Sequence, residues 1–231
     1  IIGAVTISNN QIIENTGSRG GAIYSPDSGG TLNITNNIMH GNSVSGNSMN
    51  GIEPHGAALW LEAKTPNLTV TGNSITGHSG NSLVYVYCAG GMSPNCTGAY
   101  FSYTPIVNSN NLLNNNTTYW LYNNHEDGSD TVNAENNWWD TTSDTEIQAK
   151  VFDWNDDASK GLVDYTPFLT APSTSAPPSP PQDVAAQTGP TTIQLAWSAN
   201  PESDITGYKV HYDTDAAGYP YANSTDVGNV T

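Results

Sequence analysis

Five segments of the chain repeat one short pattern, anchored on Asn10, Asn37, Asn73, Asn110 and Asn137 at intervals of 27, 36, 37 and 27 residues. A small or apolar residue lies three before each anchor and a larger apolar one two after. These pairs are Ile7 and Ile12, Ile34 and Met39, Val70 and Ile75, Val107 and Leu112, and Ala134 and Trp139. Four copies add an apolar residue five before the anchor (Val5, Leu32, Leu68, Val132), where the fourth copy has Pro105. Three copies place Asn five after it, at Asn15, Asn42 and Asn115, and the third copy has His78 there. A repeat of this length cannot bury its apolar face alone, so the passes must stack.

The local pattern says what is stacked. Leu32-Asn33-Ile34-Thr35 and Leu68-Thr69-Val70-Thr71 alternate with period two, which predicts half-buried strands. A bend follows at Asn9-Asn10, Asn36-Asn37, Gly72-Asn73 and Asn110-Asn111, where Asn and Gly tolerate a sharp corner. A second apolar run comes next in each of the first four copies, at 22–24, 57–61, 83–87 and 119–122. One pass therefore reads strand, Asn corner, strand, loop, with excursions near 43–55 and 88–105. Strands without a partner in their own pass must pair with the passes above and below. The fold class is then all-β, a parallel solenoid whose asparagines stack as an amide ladder.

With these features the chain resembles the right-handed parallel β-helix family of pectate lyases, polygalacturonases, tailspikes and surface adhesins, over residues 1–170. Gly20–Ile23 and its echo Gly56–Leu59 resemble repeats of bacterial polymorphic surface proteins. The resemblance implies fold more than chemistry, since one architecture hosts many functions. The stretch 136–169 resembles a C-terminal closure of surface β-helices. It includes a capping box, Ser143 with Glu146, ahead of Ile147, Val151 and Phe152, and predicts a short amphipathic helix.

After Ala171 the composition changes. Residues 171–181 are rich in Pro and Ser and read as a semi-rigid extended linker. Beyond it, 183–186, 192–197 and 205–212 alternate as three strands. Trp197 and Gly207-Tyr208-Lys209-Val210-His211-Tyr212 resemble a fibronectin type III domain over 182–231. Such domains run to about 90–100 residues, so this one is expected to be truncated. The opening on Ile1-Ile2, already inside a coil, likewise predicts that the chain is a piece of a longer protein. No signal peptide or membrane span is legible in it.

Charge narrows the partners. The formal net charge is −16, with five Lys and Arg against 21 Asp and Glu. Up to His125 four acids face two bases; the strong negative charge lies after it. So few cations exclude a phosphate-neutralising nucleic-acid surface. Cys88 and Cys96 flank a short turn-forming run; a disulfide in an oxidising compartment is the preferred reading and two free thiols the other. Asn-x-Ser/Thr acceptors occur at Asn33, Asn67, Asn95, Asn115, Asn116, Asn223 and Asn229. Asp153, Asn155, Asp157, Ser159 and Asp164 fall in a calcium-loop register with Ala158 in place of the usual Gly; the alternative is an acidic loop bonded to backbone amides.

If Ile23, Leu59, Val84, Val86 and Leu121 face the core, then Tyr24, Trp60, Tyr85, Tyr87, Trp120 and Tyr122 face outward as an aromatic stripe. Three readings stay open: the stripe binds glycans, it meets another subunit, or the excursion 88–105 covers it. Carboxylates and histidines for hydrolysis are Glu53, Glu62, Glu126 and Asp127, with His55 and His125. None lies in a recognisable catalytic motif. The sequence thus reads as an extracellular or cell-surface structural or adhesive repeat protein. Its stalk would bind glycans or neighbouring copies and assemble into filaments or a surface layer. The alternative is a polysaccharide lyase or glycoside hydrolase with a fibronectin-like accessory domain.

Overall fold

The computed structural model describes residues 3–26, 30–46, 53–62, 67–88, 105–125, 131–214, 218 and 220–230. The chain divides into two compact units, Ile1–Ser179 and Pro180–Thr231. The described residues are nearly all β, with one short helix.

In the first unit the chain makes successive passes through three places. The first pass is β1 (Ala4–Ser8), β2 (Gln11–Ile13), β3 (Thr16–Gly17) and β4 (Ile23–Ser25). The second is β5 (Thr31–Thr35), β6 (Ile38–His40), β7 (Ser43–Val44) and β8 (Leu59–Glu62). The third is β9 (Leu68–Thr71), β10 (Ser74–Thr76) and β11 (Ser79–Cys88). The fourth is β12 (Ile106–Asn108), β13 (Asn111–Leu113) and β14 (Asn116–His125). The fifth holds β15 (Val132–Asn133), the helix α1 (Asp144–Lys150) and β16 (Val151–Phe152), and β17 (Val163–Asp164) opens a sixth.

Equivalent strands pair in parallel, giving three sheets. The first runs β1-β5-β9-β12-β15-β17 and the second β2-β6-β10-β13. The third runs β3-β7-β11-β14-β16, with β4 and β8 joined to β11. Register lays like on like. Ile7, Ile34, Val70 and Val107 form one core column, and Ile12, Met39, Ile75 and Leu112 another. Leu59, Val84, Leu121 and Val151 form a third, and all four are buried.

The five anchor asparagines are bonded one to the next. The Nδ2 of Asn10, Asn37, Asn73 and Asn110 donates to the Oδ1 of the next anchor at 2.9–3.1 Å. The same Oδ1 atoms accept the backbone N–H of the preceding anchor at 2.9–3.0 Å. The left-handed residue at each corner is the one before the anchor: Asn9, Asn36, Gly72, Ser109 and Asn136, with φ of 55–64°. A second, shorter ladder joins Asn15 to Asn42. His78 interrupts it, and its backbone N–H still donates to Asn115 Oδ1.

The helix α1 lies in the fifth pass of the first unit. Ser143 caps α1, its hydroxyl accepting the Glu146 N–H, and Ile147 is buried beneath. The Glu146 carboxylate does not reach back to Ser143; it accepts from Thr141 Oγ1, which in turn accepts the Ser143 N–H. The helix is shorter than expected. Val151 and Phe152 form β16, because both have places on the rung beside Leu121 and Tyr122.

Residues 171–179, the greater part of the stretch read above as a semi-rigid extended linker, are tied to the first unit by hydrogen bonds. They belong to the first unit and lie on the outer face of the second sheet. Asn111 makes a reciprocal pair with Ser173, donating to its carbonyl at 3.0 Å and accepting its N–H at 2.7 Å. Ser74, Asn111, Ala176 and Ser179 are buried. Proline-rich composition favours an extended segment, and an extended segment with free amides can be strapped down as readily as left loose.

The second unit holds two antiparallel pairs, β18 (Gln182–Thr188) with β19 (Ile193–Ser198), and β20 (Tyr208–Tyr212) with β21 (Asn223–Gly228). Three expected strands are present, the third starting at Tyr208 and not at 205. The fourth, β21, is polar and has no apolar alternation to announce it. Trp197 and Tyr208 meet edge to face at 5.3 Å. Val184, Ile193, Leu195, Tyr212 and Val230 remain exposed.

Candidate functional site

On β4, β8, β11, β14 and β16 an aliphatic residue faces the core and its neighbour carries a ring on the other face. Parallel register then stacks the rings: Tyr24 with Trp60, Trp60 with Tyr85, Tyr85 with Tyr122, and Tyr122 with Phe152. Successive centroids are 6.2, 4.4, 5.3 and 4.2 Å apart. Ring pairs at these separations add about 0.5–1.5 kcal/mol each beyond area burial. The column is therefore a stabilising element as well as a surface.

Its accessibility varies along its length. Tyr24 is 42% exposed, whereas Trp60 and Tyr85 are buried. Tyr122 and Phe152 are half-buried. Burial pushes the Tyr85 hydroxyl well above the usual tyrosine pKa, with the nearby Tyr122 adding to the push. That hydroxyl accepts from Asn124 Nδ2 at 2.7 Å. Burial raises Tyr122 as well. The Trp60 indole N–H has no hydrogen-bond partner.

Of the rings read from the sequence as an outward stripe, Tyr24, Trp60, Tyr85, Tyr87 and Tyr122 lie together away from the aliphatic core, with Trp60 and Tyr85 buried there. Tyr87 lies 5.4 Å from Trp60 and 5.9 Å from Tyr85. Trp120 is the exception. It packs against the core and stacks on buried Trp139 at 6.1 Å. Tyr119 takes its place, meeting Tyr122 at 5.5 Å and Phe152 at 5.3 Å. Leu83 and Val84, on the pass before, are both in the core, so strict alternation fails at this corner and the phase shifts by one. Phe152 was missed because its spacing from Ile147 suits a helix.

Two nitrogen-bearing groups lie on the column. The Arg19 guanidinium carbon is 4.9 Å from the Trp60 ring centroid. The His55 ring stacks on Tyr85 at 4.3 Å and 13°, and meets Tyr122 at 4.9 Å. Arg19 and His55 are themselves bridge partners on adjacent passes. Gly56 donates its N–H to Ser82 Oγ, which lies 3.1 Å from His55 Nδ1. Burial lowers the His55 pKa from 6.5 to about 4, so the ring is neutral at pH 7.

Of the described residues considered for hydrolysis, only His55 stacks on a ring of the column. Glu53 is exposed ahead of β8, and Glu62 ends β8 on the rung of Tyr87. His125 is buried at the end of β14, on the rung of Cys88. Glu126 and Asp127 lie outside the described residues, as do Cys96 and the Cys88 side chain of the expected disulfide.

The calcium register is occupied by backbone contacts. Buried Asp153 accepts the N–H of Asn155 and of Val163 on its two oxygens. Asp157 accepts from Ser159 N, and Asp164 from Thr166 N. No group of three or more metal-binding carboxylates, imidazoles and thiols occurs among the described residues. The carboxylates here accept from separate amides.

Among the glycosylation acceptors, Asn67, Asn116, Asn223 and Asn229 are exposed and Asn33 is half-buried. Asn115 is committed to the second ladder, donating to Ile75 O and accepting from His78 N. Asn95 lies outside the described residues. No helix among the described residues is long and apolar enough to cross a membrane. Comparison of the chain with protein-family models, with curated proteins and with solved structures gives no match.

Proposed function

We propose that this chain is an extracellular or cell-surface structural and adhesive protein. In this reading its first unit is a right-handed parallel β-helix stalk, and residues 182–231 form part of a fibronectin type III-like sandwich. The stacked asparagine ladder and the parallel register support the first assignment. The Trp197–Tyr208 contact between two hairpins supports the second. Low charge density in the stalk and the scattered exposed Asn-x-Ser/Thr sites suit an extracellular setting.

One observation carries the functional part: the unbroken column Tyr24–Trp60–Tyr85–Tyr122–Phe152, exposed at Tyr24, half-buried at Tyr122 and Phe152, and buried between them at Trp60 and Tyr85. The exposed Tyr24 ring and the half-buried Tyr122 and Phe152 rings offer flat faces to the apolar faces of sugars. The same face would also suit a neighbouring copy. Affinity electrophoresis in gels containing neutral polysaccharides tests the reading, with Tyr24→Ala and Tyr122→Ala as variants outside the core. The wild-type chain is retarded, and each variant loses roughly tenfold in affinity, a stacking contribution of about 1–1.5 kcal/mol. Sedimentation at high concentration reads the self-association arm. A monomer that no polysaccharide retards would remove the adhesive reading, and release of sugar during the experiment would replace it with a carbohydrate-active enzyme.

A further inference from the structure

The outer face of the second sheet is covered over part of its length only. Its outward residues, which alternate with the core column, fall in two rows by register. Gln11, Ile38, Ser74 and Asn111 make one, and Ile13, His40, Thr76 and Leu113 the other. In the first pass both outward residues are exposed, Ile13 by 40%. In the second pass both are half-buried, and in the third and fourth all four are buried. Residues 171–179 cross those last two passes. Ser173 is bonded to Asn111 on the fourth. Ser175 O lies 3.8 Å from the point where a Cβ on Gly72 would stand, at the corner of the third.

The fit belongs to the backbone and to small side chains. Asn111 donates to Ser173 O and accepts Ser173 N–H, so it grips one residue's main chain whatever side chain that residue carries. Ala176 and Ser179, three apart, are buried, while Thr174, Ser175 and Pro178 are exposed. Pro177, Pro178 and Pro180 favour the polyproline II conformation, which brings every third residue to one face. Ahead of the segment, Leu169 N–H is tied to Asn137 O at 3.0 Å. Between this tie and Ser173, Thr170 and Ala171 are exposed and supply a hinge. Every copy of the chain thus carries one such face and one segment that fits it. We propose that this face joins two copies of the chain by reciprocal exchange, residues 171–179 of each lying on Asn111 of the other. Exchange replaces each contact by its equal, so concentration and hinge geometry set the balance. The exchange deepens, and rests on, the self-association arm of the proposed function; it needs no part of the aromatic column.

Complementary variants of the whole chain test it. Asn111→Ala has an intact segment and a defective face; Asn111→Leu, closer in volume, serves as a second face variant. Ser173→Pro lacks the N–H that Asn111 accepts, so it has a defective segment and an intact face. Neither kind of variant can close the contact on itself, but a mixed pair can close it once between copies. Sedimentation of each variant and of an equimolar mixture reads the difference. Mixed dimers form with roughly tenfold to thirtyfold higher affinity than dimers of either variant alone or of the wild type, the worth of two hydrogen bonds. Limited proteolysis gives a second readout: added Ser173→Pro chain slows cleavage of the intact segment in the Asn111 variants. A mixture that associates no more tightly than its components, with the segment cleaved at an unchanged rate, overturns the exchange. If the wild type and all variants then dimerise equally, the self-association arm stands on another surface. If none sediments faster than a monomer, that arm falls with the exchange.

Discussion

An asparagine side chain carries a donor and an acceptor at one end, so each rung of the ladder can give to one neighbour and receive from another. Asn73 does both inside the protein. Its Nδ2 donates to Ile34 O, Thr71 O and Asn110 Oδ1, and its Oδ1 accepts from Asn37. Removing that amide strands several buried groups at once, each costing about 1–3 kcal/mol. Asn73→Ala is therefore expected to destabilise the first unit by about 3 kcal/mol or more. Asn10 donates in the same way but is exposed, so water replaces what Asn10→Ala removes. That change costs about 1 kcal/mol. Urea unfolding of the two variants compares them directly, and equal losses would show that the ladder is decoration on a register set elsewhere.

At the scale of elements, the segment 171–179 is the clearest case of a short piece held by one side chain. Asn111 is wholly buried and ties Ser173 with two hydrogen bonds. At about 1 kcal/mol each, these suppress local opening roughly tenfold to thirtyfold. Asn111→Ala should therefore speed cleavage within 171–179 by a broad-specificity protease by about that factor. Limited proteolysis followed by mass spectrometry reads the site and the rate. Unchanged cleavage would mean that burial of Ala176 and Ser179 suffices to hold the strap. The helix α1 shows the same economy: Ser143, Thr141 and Glu146 satisfy its first turn, while Lys150 at its last turn donates to Thr117 O at 2.8 Å.

Across the whole first unit, two histidines link stability to pH. His78 stands in the second ladder with Nδ1 3.1 Å from Asn42 O and Nε2 3.1 Å from Met39 O. Burial lowers its pKa from 6.5 to about 4, His40 adds to the lowering, and backbone hydrogen bonds to Met39, Asn42 and Ala57 pull the other way. His55 is lowered to about 4 by burial. Each group binds its proton more readily in the unfolded chain. Stability is therefore full above pH 6.5 and is lost as pH falls from 6.5 towards 4, by about 3 kcal/mol at most for His78. Melting temperatures across that window should fall in the wild type and fall less in His78→Asn, which also restores an amide to the ladder. A variant with the wild-type slope would place the titration elsewhere.

At that same scale the pattern and the tertiary structure divide the credit. The anchor asparagines, the alternating Leu32–Thr35 and Leu68–Thr71, and the aliphatic partners of Tyr24, Trp60, Tyr85 and Tyr122 carried parallel stacking in their spacing alone. This is because a period-two strand in a repeat has one way to bury its face. The helix start at Ser143 was legible for a similarly local reason, its capping hydroxyl. The sequence did not carry what depends on distant neighbours. Trp120 and Tyr119 exchanged faces because the corner beside Leu83 breaks the alternation, and Phe152 joined a strand because Tyr122 waited on the adjacent rung. Residues 171–179 docked because Asn111, some sixty positions earlier, offered an amide of the right reach. The meeting of Arg19 with His55 was likewise invisible, since nothing along the chain shows which cation will stand over which ring until stacking brings two passes together.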